Sequence, residues 1–197
     1  MNNTQHITKK IKYDSEEYWN ERYKDIQKYS DIYDWYLKPS KLLKLFNNIE
    51  KNKKILVVGC GNSLFSEELY KYGFNNNNIY NLDISEVVIR QQIEKYKDYK
   101  MKWFKGDITN LCDLKKNIFD IVIDKGTIDA LACGNYKNVT KSLYEILNVL
   151  KPNGIFLLIS FSKERTNYLD VNLINPIKIE NIRTIENPLY LYIIQKK

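Results

Sequence analysis

Apolar-rich runs divide the chain into short segments separated by polar stretches. The first run, Ile55–Val58, stops at Gly59-Cys60-Gly61, and four more runs follow along the chain. A short apolar run bounded by turn residues is typical of a strand that is buried on both faces of a sheet. The pattern predicts five such strands, at 55–58, 79–84, 101–104, 119–124 and 155–160.

The stretches between these strands carry apolar residues three or four positions apart, as amphipathic helices do. Ser63 and Ser85 stand where side chains that cap a helix are favoured. Two more helices are predicted ahead of the sheet: the first covers about 14–28, and the second begins at Ser40. Strands that alternate with helices in this way predict a parallel sheet.

The pattern changes after residue 160, where apolar and polar residues alternate. This alternation covers 177–182 and 189–193, with Pro188 between the two stretches. Alternation predicts half-exposed strands, and the proline predicts a turn, so the two stretches are expected to form an antiparallel hairpin. The predicted fold is therefore α/β, with a Rossmann-like seven-stranded sheet that is mostly parallel, an antiparallel C-terminal hairpin, and helices on both faces.

Composition and charge narrow the range of functions. The chain has 197 residues, of which 44% are hydrophobic and 28% charged, as expected of a globular domain with its own core. Basic residues exceed acidic ones by 31 to 24, but they are scattered, so nucleic acid is not an expected partner. The three cysteines lie far apart, and no apolar run approaches the ~20 residues of a membrane span. These features predict a cytoplasmic protein without a metal site or a membrane partner.

Three loops at one edge of the predicted sheet carry the candidate chemistry. Gly59 and Gly61 follow the first strand, Asp83 ends the second, and Asp107 follows the third. Glycines allow a tight turn against a ligand, and a carboxylate at the end of the second strand can accept both hydroxyls of a ribose. Asp107 could accept the amine of adenine beside an apolar wall from Ile108, although Gly106-Asp107 alone also fits a simple turn.

The glycine spacing argues against a dinucleotide. The loop reads Gly59-Cys60-Gly61-Asn62-Ser63 and lacks the third glycine that seats a pyrophosphate in dinucleotide folds. A nicotinamide oxidoreductase is therefore disfavoured, and a nucleoside without a diphosphate fits better. His6 is the single histidine, so catalysis by a histidine base is not expected.

A longer stretch gives a specific resemblance. The segments that carry it are Ile55–Ser63, Leu82–Ser85, Gly106–Ile108, Tyr18–Tyr23, Tyr33–Trp35 and above all Phe119–Leu131, which contains DKGTIDAL. Together they resemble the class I S-adenosylmethionine-dependent methyltransferases, in particular the group of eukaryotic elongation factor 1A lysine methyltransferases and the methyltransferase region related to endothelin-converting enzyme 2.

The resemblance implies S-adenosylmethionine as cofactor and a set of residues that bind it. We expect the following to line the cofactor site: Trp19, Tyr23, Trp35, Gly59, Cys60, Gly61, Asp83, Ile84, Asp107, Ile108, Asp124 and Lys125. Aromatic rings near a positively charged sulfur are physically reasonable. Without the resemblance, packing of the first helix on the sheet explains Trp19 and Tyr23 equally well.

The implied activity is methyl transfer to a lysine of a protein such as elongation factor 1A. We expect Asp124, and secondly Asp129, to act in catalysis by positioning the acceptor amine or the cofactor's ammonium group. For Asp129, a role as an acidic helix cap is at least as well supported by the sequence. A small-molecule or RNA methyltransferase, or a non-catalytic cofactor-binding scaffold, stays open as an alternative.

One domain is expected. Residues 1–13 are predicted to be a disordered leader, and 14–197 a single methyltransferase domain. Its predicted parts are a helical cap (14–50), a cofactor-binding core (51–160) and the C-terminal hairpin (161–197).

Overall fold

A seven-stranded sheet forms the centre of the computed structural model, which describes residues 11–25, 33–182 and 188–197. Its strands are β1 (Ile55–Val58), β2 (Ile79–Asp83), β3 (Lys102–Lys105), β4 (Phe119–Lys125), β5 (Leu150–Ser160), β6 (Lys178–Asn181) and β7 (Tyr190–Gln195). They lie in the order β3-β2-β1-β4-β5-β7-β6.

The pairing of the strands confirms the predicted fold class. Pairs β2–β3, β1–β2, β1–β4 and β4–β5 are parallel, whereas β5–β7 and β6–β7 are antiparallel. The strand order reverses direction between β1 and β4, which are neighbours although two strands separate them in sequence. In open α/β sheets a ligand crevice forms at such a switch point, beyond the carboxyl ends of the strands.

Helices cover both faces of the sheet. The helices are α1 (Glu16–Lys24), α2 (Pro39–Leu43), α3 (Phe65–Lys71), α4 (Glu86–Lys95), α5 (Thr127–Ala132) and α6 (Tyr136–Val149). Ile55 and Val57 pack with buried residues of α2, α3 and α4, whereas Leu56 and Val58 pack with buried residues of α5 and α6. Alternate side chains of β1 thus enter two separate cores, which explains why the strand is apolar throughout.

The helix starts follow the capping side chains only in part. Ser15 caps α1 and Ser85 caps α4 by accepting hydrogen bonds from Tyr18 N–H (3.2 Å) and Val88 N–H (3.3 Å). Ser63 accepts from Phe65 N–H at 3.1 Å but lies one residue before the N-cap of α3, which is Leu64. Residues 26–28, the predicted end of the first helix, lie outside the described residues.

Two further boundaries differ from the prediction. Helix α2 begins at Pro39, one residue before Ser40, because proline is favoured at the first helical position, where its missing N–H costs nothing. Strand β5 begins at Leu150 rather than 155, and the pairing register shifts along its first half, so residues 152–154 lie within the strand. Asn153 there has a φ of 63°.

The predicted leader lies mostly outside the described residues, which begin at Ile11. Tyr13, within the predicted leader, accepts a hydrogen bond from Trp19 Nε1 at 2.8 Å and so belongs to the folded domain. Among the described residues, every helix is too short or too polar to cross a bilayer.

Candidate active site

A cavity of about 240 Å³ lies at the carboxyl edge of the sheet, beyond β1, β2 and β4. Its walls come from the loops after β1 to β5, from α5, and from residues before the sheet. All but one of the predicted cofactor residues line it: Trp19, Tyr23, Trp35, Gly59, Cys60, Gly61, Asp83, Ile84, Asp107, Ile108 and Lys125. The exception is Asp124. The structure thus brings eleven residues from distant parts of the sequence together, and their contact with a cofactor stays a prediction.

Two glycines shape the turn after β1. Gly59 and Gly61 have φ values of +56° and +52°, which favour glycine. A Cβ on Gly59 would lie 1.8 Å from Thr127 Oγ1, and a Cβ on Gly61 would lie 2.7 Å from the hydroxyl oxygen of Tyr23. Their missing side chains therefore admit the first turn of α5 and an aromatic residue of α1, in addition to leaving space for a ligand.

Asp83 joins two loops beneath the cavity. Its Oδ2 accepts a hydrogen bond from Gly61 N–H and its Oδ1 accepts one from Ser85 N–H, both at 2.9 Å. Burial raises the pKa of Asp83 to about 6, although these backbone donors act in the opposite sense. The carboxylate is therefore mostly ionised at neutral pH. An ionised carboxylate has about four acceptor positions, so it can also accept from the hydroxyls of a ligand.

Asp107 forms the simple turn that its sequence allowed, and its bond to the adenine amine stays a prediction. Its Oδ1 accepts a hydrogen bond from Thr109 N–H at 2.8 Å, which closes a turn, and the residue also lines the cavity. A Cβ on Gly106 would lie 2.7 Å from Leu82 Cδ1, so a larger residue there would displace the Leu82 side chain of β2. Ile108 is buried beside it and supplies the apolar wall that was predicted.

Asp124 is absent from the lining of the cavity, and its contact with the cofactor or the acceptor stays a prediction. Its side chain is fully buried, and its Oδ1 accepts from the backbone N–H groups of Gly126 (2.9 Å) and Thr127 (3.1 Å). Its Oδ2 accepts from Ile128 N–H at 3.1 Å. Burial, and secondly the charge of Asp129, raise the pKa of Asp124 to about 7. Asp124 therefore caps the start of α5, where three backbone donors lack partners within the helix.

Asp129 lines the cavity and is buried at the centre of a hydrogen-bond network. Its Oδ1 accepts from Ser160 Oγ at 2.6 Å and from Arg165 Nε at 2.7 Å. Its Oδ2 accepts from Tyr36 Oη at 2.7 Å and from Phe161 N–H at 3.2 Å. The side chain thus bonds to groups outside α5, although Asp129 lies in the first turn of that helix, and its role in catalysis stays a prediction.

Residues before the sheet close one side of the cavity. We call residues 11–25 and 33–37 the N-terminal strap. Trp19 stacks on Tyr23 with ring centroids 6.1 Å apart and meets Trp35 edge to face at 6.2 Å. The guanidinium of Arg22 lies 5.9 Å from the Trp19 ring and 5.8 Å from the Trp35 ring. The three predicted aromatic residues therefore pack the strap and also face the cavity.

Two polar contacts fasten the middle of the strap to the sheet. Lys125 Nζ lies 2.5 Å from Asp34 Oδ1, and Ser63 Oγ donates to the same oxygen. Burial lowers the pKa of Lys125, although Asp34 acts in the opposite sense. On α1, Asn20 Oδ1 accepts a hydrogen bond from Ser85 Oγ at 2.8 Å. These bonds hold the aromatic residues over the carboxyl ends of β1, β2 and β4.

The arrangement fits an adenosyl group with a positive charge. Asp83 offers a mostly ionised carboxylate to ribose hydroxyls, and a Cβ at Gly61 would close the turn against Tyr23. The aromatic rings of the strap are able to attract a cation. Within the described residues, no group of His, Cys, Asp or Glu is arranged to hold a metal ion.

Several cavity residues were not predicted from the sequence. Tyr36, Phe161 and Asp34 lie in or beside the cavity, and Arg165 reaches Asp129 from the segment after β5. Tyr36 directly follows the predicted Trp35, which was a signal that could have been used. No comparable signal marked Arg165.

The sequences of curated relatives align with most of this chain. The eEF1A lysine and N-terminal methyltransferase of Mus musculus is 35% identical over 156 residues, which cover 76% of this chain and 22% of that protein. The EEF1A lysine methyltransferase 4 of Mus musculus is 32% identical over 161 residues, which cover 76% of this chain and 62% of that protein. The chain thus spans about a fifth of the length of the first of these relatives and less than two thirds of the second.

Solved structures share the fold. The N-methyltransferase NodS of Bradyrhizobium japonicum, in complex with S-adenosylhomocysteine, has a TM-score of 0.65 at 14% identity, covering 80% of this chain and 85% of its own. A SAM-dependent methyltransferase of Aquifex aeolicus has a TM-score of 0.64 at 17% identity, covering 89% and 98%. A family model described as a methyltransferase domain matches residues 49–187, which include strands β1 to β6 and helices α3 to α6. The chain therefore belongs to the methyltransferase-domain family.

Proposed function

We propose that the chain transfers a methyl group from S-adenosylmethionine to a lysine side chain of a protein, with elongation factor 1A as the first candidate substrate. The observation that carries this proposal is the meeting of a glycine turn, two carboxylates and an aromatic wall in one cavity. The choice of acceptor is supported by relatives at 32% and 35% identity that are named eEF1A lysine methyltransferases.

The residues of the sheet edge would hold the nucleoside part of the cofactor. Asp83 accepts hydrogen bonds from the ribose hydroxyls, and Asp107 and Ile108 contact the adenine. The turn at Gly59 and Gly61 allows the ligand to lie against the backbone. Charge-assisted hydrogen bonds of this kind each contribute about 1.5–3 kcal/mol. When bound, S-adenosylmethionine supplies a methyl group on a positively charged sulfur.

The chain has little acid–base work to do, because the methyl group arrives already activated. The lysine nitrogen forms the new bond with its lone pair, the electrons of the sulfur–carbon bond return to sulfur, and the displaced proton of the amine passes to water. Orientation of the nitrogen in line with that bond can account for roughly 7–11 kcal/mol of the barrier.

A lysine must lose its proton before it can react. In water its pKa is about 10.4, and burial of the amine beside a positive charge lowers that value, because both disfavour the charged form. The aromatic wall of Trp35, Tyr36 and Phe161 offers an apolar surrounding to such an amine.

The test uses the full chain and S-adenosylmethionine with a labelled methyl group. After incubation with elongation factor 1A, label is expected in the protein, and mass spectrometry is expected to locate it on a lysine. An Asp83→Ala variant serves as the control and should transfer no label. In the same assay with a lysate in place of elongation factor 1A, label that enters only RNA or small molecules would refute the lysine assignment. Binding of S-adenosylhomocysteine without any transfer would instead support a scaffold.

A further inference from the structure

One side of the cavity is built around Tyr36. This residue has a φ of 68°, a conformation that tyrosine rarely adopts. Its ring lies against the backbone at Gly126, where an added Cβ would come within 3.1 Å of Tyr36 Cε2. Unfavourable backbone conformations of this kind persist where the surrounding contacts hold them in place, and they cluster at functional sites.

The contact that holds Tyr36 is its hydrogen bond to Asp129, in which Tyr36 Oη donates to Oδ2 at 2.7 Å. Asp129 accepts three further hydrogen bonds, from Ser160, Phe161 and Arg165. A carboxylate has about four acceptor positions, so these four donors use its capacity. The guanidinium of Arg165 also balances its charge. Asp129 is therefore suited to fixing the groups around it rather than to binding an acceptor directly.

The hydrogen bond also sets the chemical character that Tyr36 shows to any other group. Because its proton points to Asp129, the phenol oxygen can act toward the cavity only as an acceptor. Burial, and secondly the charge of Asp129, raise the pKa of Tyr36 far above its ordinary value, so the phenol stays neutral and cannot serve as a base. Such an oxygen can accept a hydrogen bond from an N–H of an amine. The lone pair of that amine then stays free to point at the methyl group.

Two aromatic rings pack against the Tyr36 ring and give it a surrounding that suits a lysine. Tyr36 meets Trp35 edge to face at 6.2 Å and Phe161 edge to face at 6.3 Å. Phe161 is half exposed, so it forms part of the rim where the cavity opens to solvent. An aliphatic chain can pack between such rings, and its terminal cation is attracted to their faces.

We infer that Tyr36, fixed by Asp129, receives the acceptor amine and orients it toward the transferable methyl group. This inference rests on the proposed methyl transfer, and it assigns Asp129 as a positioning residue that acts through Tyr36. The edge of the sheet thus binds the nucleoside, and Tyr36 in the strap binds the acceptor.

The first test measures binding and needs no turnover. Sinefungin carries an amine-bearing carbon in place of the methylated sulfur, so it presents a cation at the point of transfer. By calorimetry, Tyr36→Phe should lower the affinity for sinefungin at least fivefold relative to that for S-adenosylhomocysteine, whose own affinity should stay within twofold of wild type. Tyr70→Phe, on the exposed surface of α3, is the matched control and should leave both affinities unchanged.

The second test measures turnover of elongation factor 1A. Tyr36→Phe should lower kcat at least tenfold while KM for the cofactor stays within twofold. Asp129→Asn, which alters the acceptor that orients the phenol, should lower kcat and the sinefungin preference in the same direction. If thermal denaturation shows that Tyr36→Phe does not fold, Asp129→Asn tests the inference in its place.

An unchanged sinefungin preference in both variants would overturn the inference. An equal loss of affinity for both ligands would also overturn it, because Tyr36 would then be a cofactor contact. If wild type methylates RNA or a small molecule but no lysine, the proposed function fails, whereas the binding test still decides the role of Tyr36.

Discussion

Replacement of Gly59 by alanine tests the close packing between the turn after β1 and the start of α5. A left-handed φ costs a non-glycine residue about 1–2 kcal/mol. The added Cβ would also lie 1.8 Å from Thr127 Oγ1 and 2.8 Å from Thr127 Cβ, so a rotation of that side chain cannot relieve the contact. The first turn of α5 must shift, at a cost of about 1–3 kcal/mol for overpacking. We expect Gly59→Ala to destabilise the protein by roughly 2–5 kcal/mol in total.

The matched control is Gly73→Ala. Gly73 has a φ of +101°, but the nearest atom to its added Cβ is Lys51 Cγ at 3.9 Å, so only the backbone term applies. Urea unfolding should therefore show a larger loss of unfolding free energy for Gly59→Ala. A difference of about 2 kcal/mol corresponds to a Tm difference of roughly 4–8 °C for a domain of this size. Equal losses in the two variants would refute the packing argument.

Three other changes have defined outcomes. Asp124→Ala leaves one buried and two half-buried backbone N–H groups without their acceptor, so urea unfolding should show a loss of about 3 kcal/mol; a loss below about 1 kcal/mol would contradict the capping role. Because ligand hydroxyls bind the ionised form of Asp83, whose pKa is about 6, the affinity for S-adenosylhomocysteine should rise between pH 5 and 7, and calorimetry should find no such rise in Asp83→Asn. Lys125→Met removes the ion pair with Asp34, so amide hydrogen exchange over 33–37 should accelerate, and unchanged exchange would argue against this contact as a fastener.

The buried strands could be predicted because a strand that is buried on both faces needs apolar residues at nearly every position, and such a run is visible in the sequence. Every residue of β1 enters one of the two cores, and the run is accordingly apolar from end to end. The six-residue helix α5 could not be predicted in this way, because it is too short to show a helical period. Its start depends on the left-handed turn at Gly126, with a φ of 98°, and on a capping carboxylate that belongs to the preceding strand.

The roles of the two acidic residues could not be separated for the same reason. Asp124 and Asp129 are five residues apart, and which of them faces the cavity depends on where β4 ends and α5 begins. Tyr36 points into the site through a backbone conformation that no residue type near it signals. The carboxylates at the ends of β2 and β3 were easier to predict, since the carboxyl ends of parallel strands meet at one edge.

The strap lies outside the part of the chain that the methyltransferase family model matches, which begins at residue 49. Trp19, Tyr23, Trp35 and Tyr36 all precede that point, yet they form one wall of the cavity. A different N-terminal segment on the same sheet would therefore replace this wall, while Asp83 and Asp107 come from the sheet itself. Changes at Trp35 and Tyr36 are the ones by which to seek a new acceptor specificity, whereas Tyr23 also packs against the turn at Gly61.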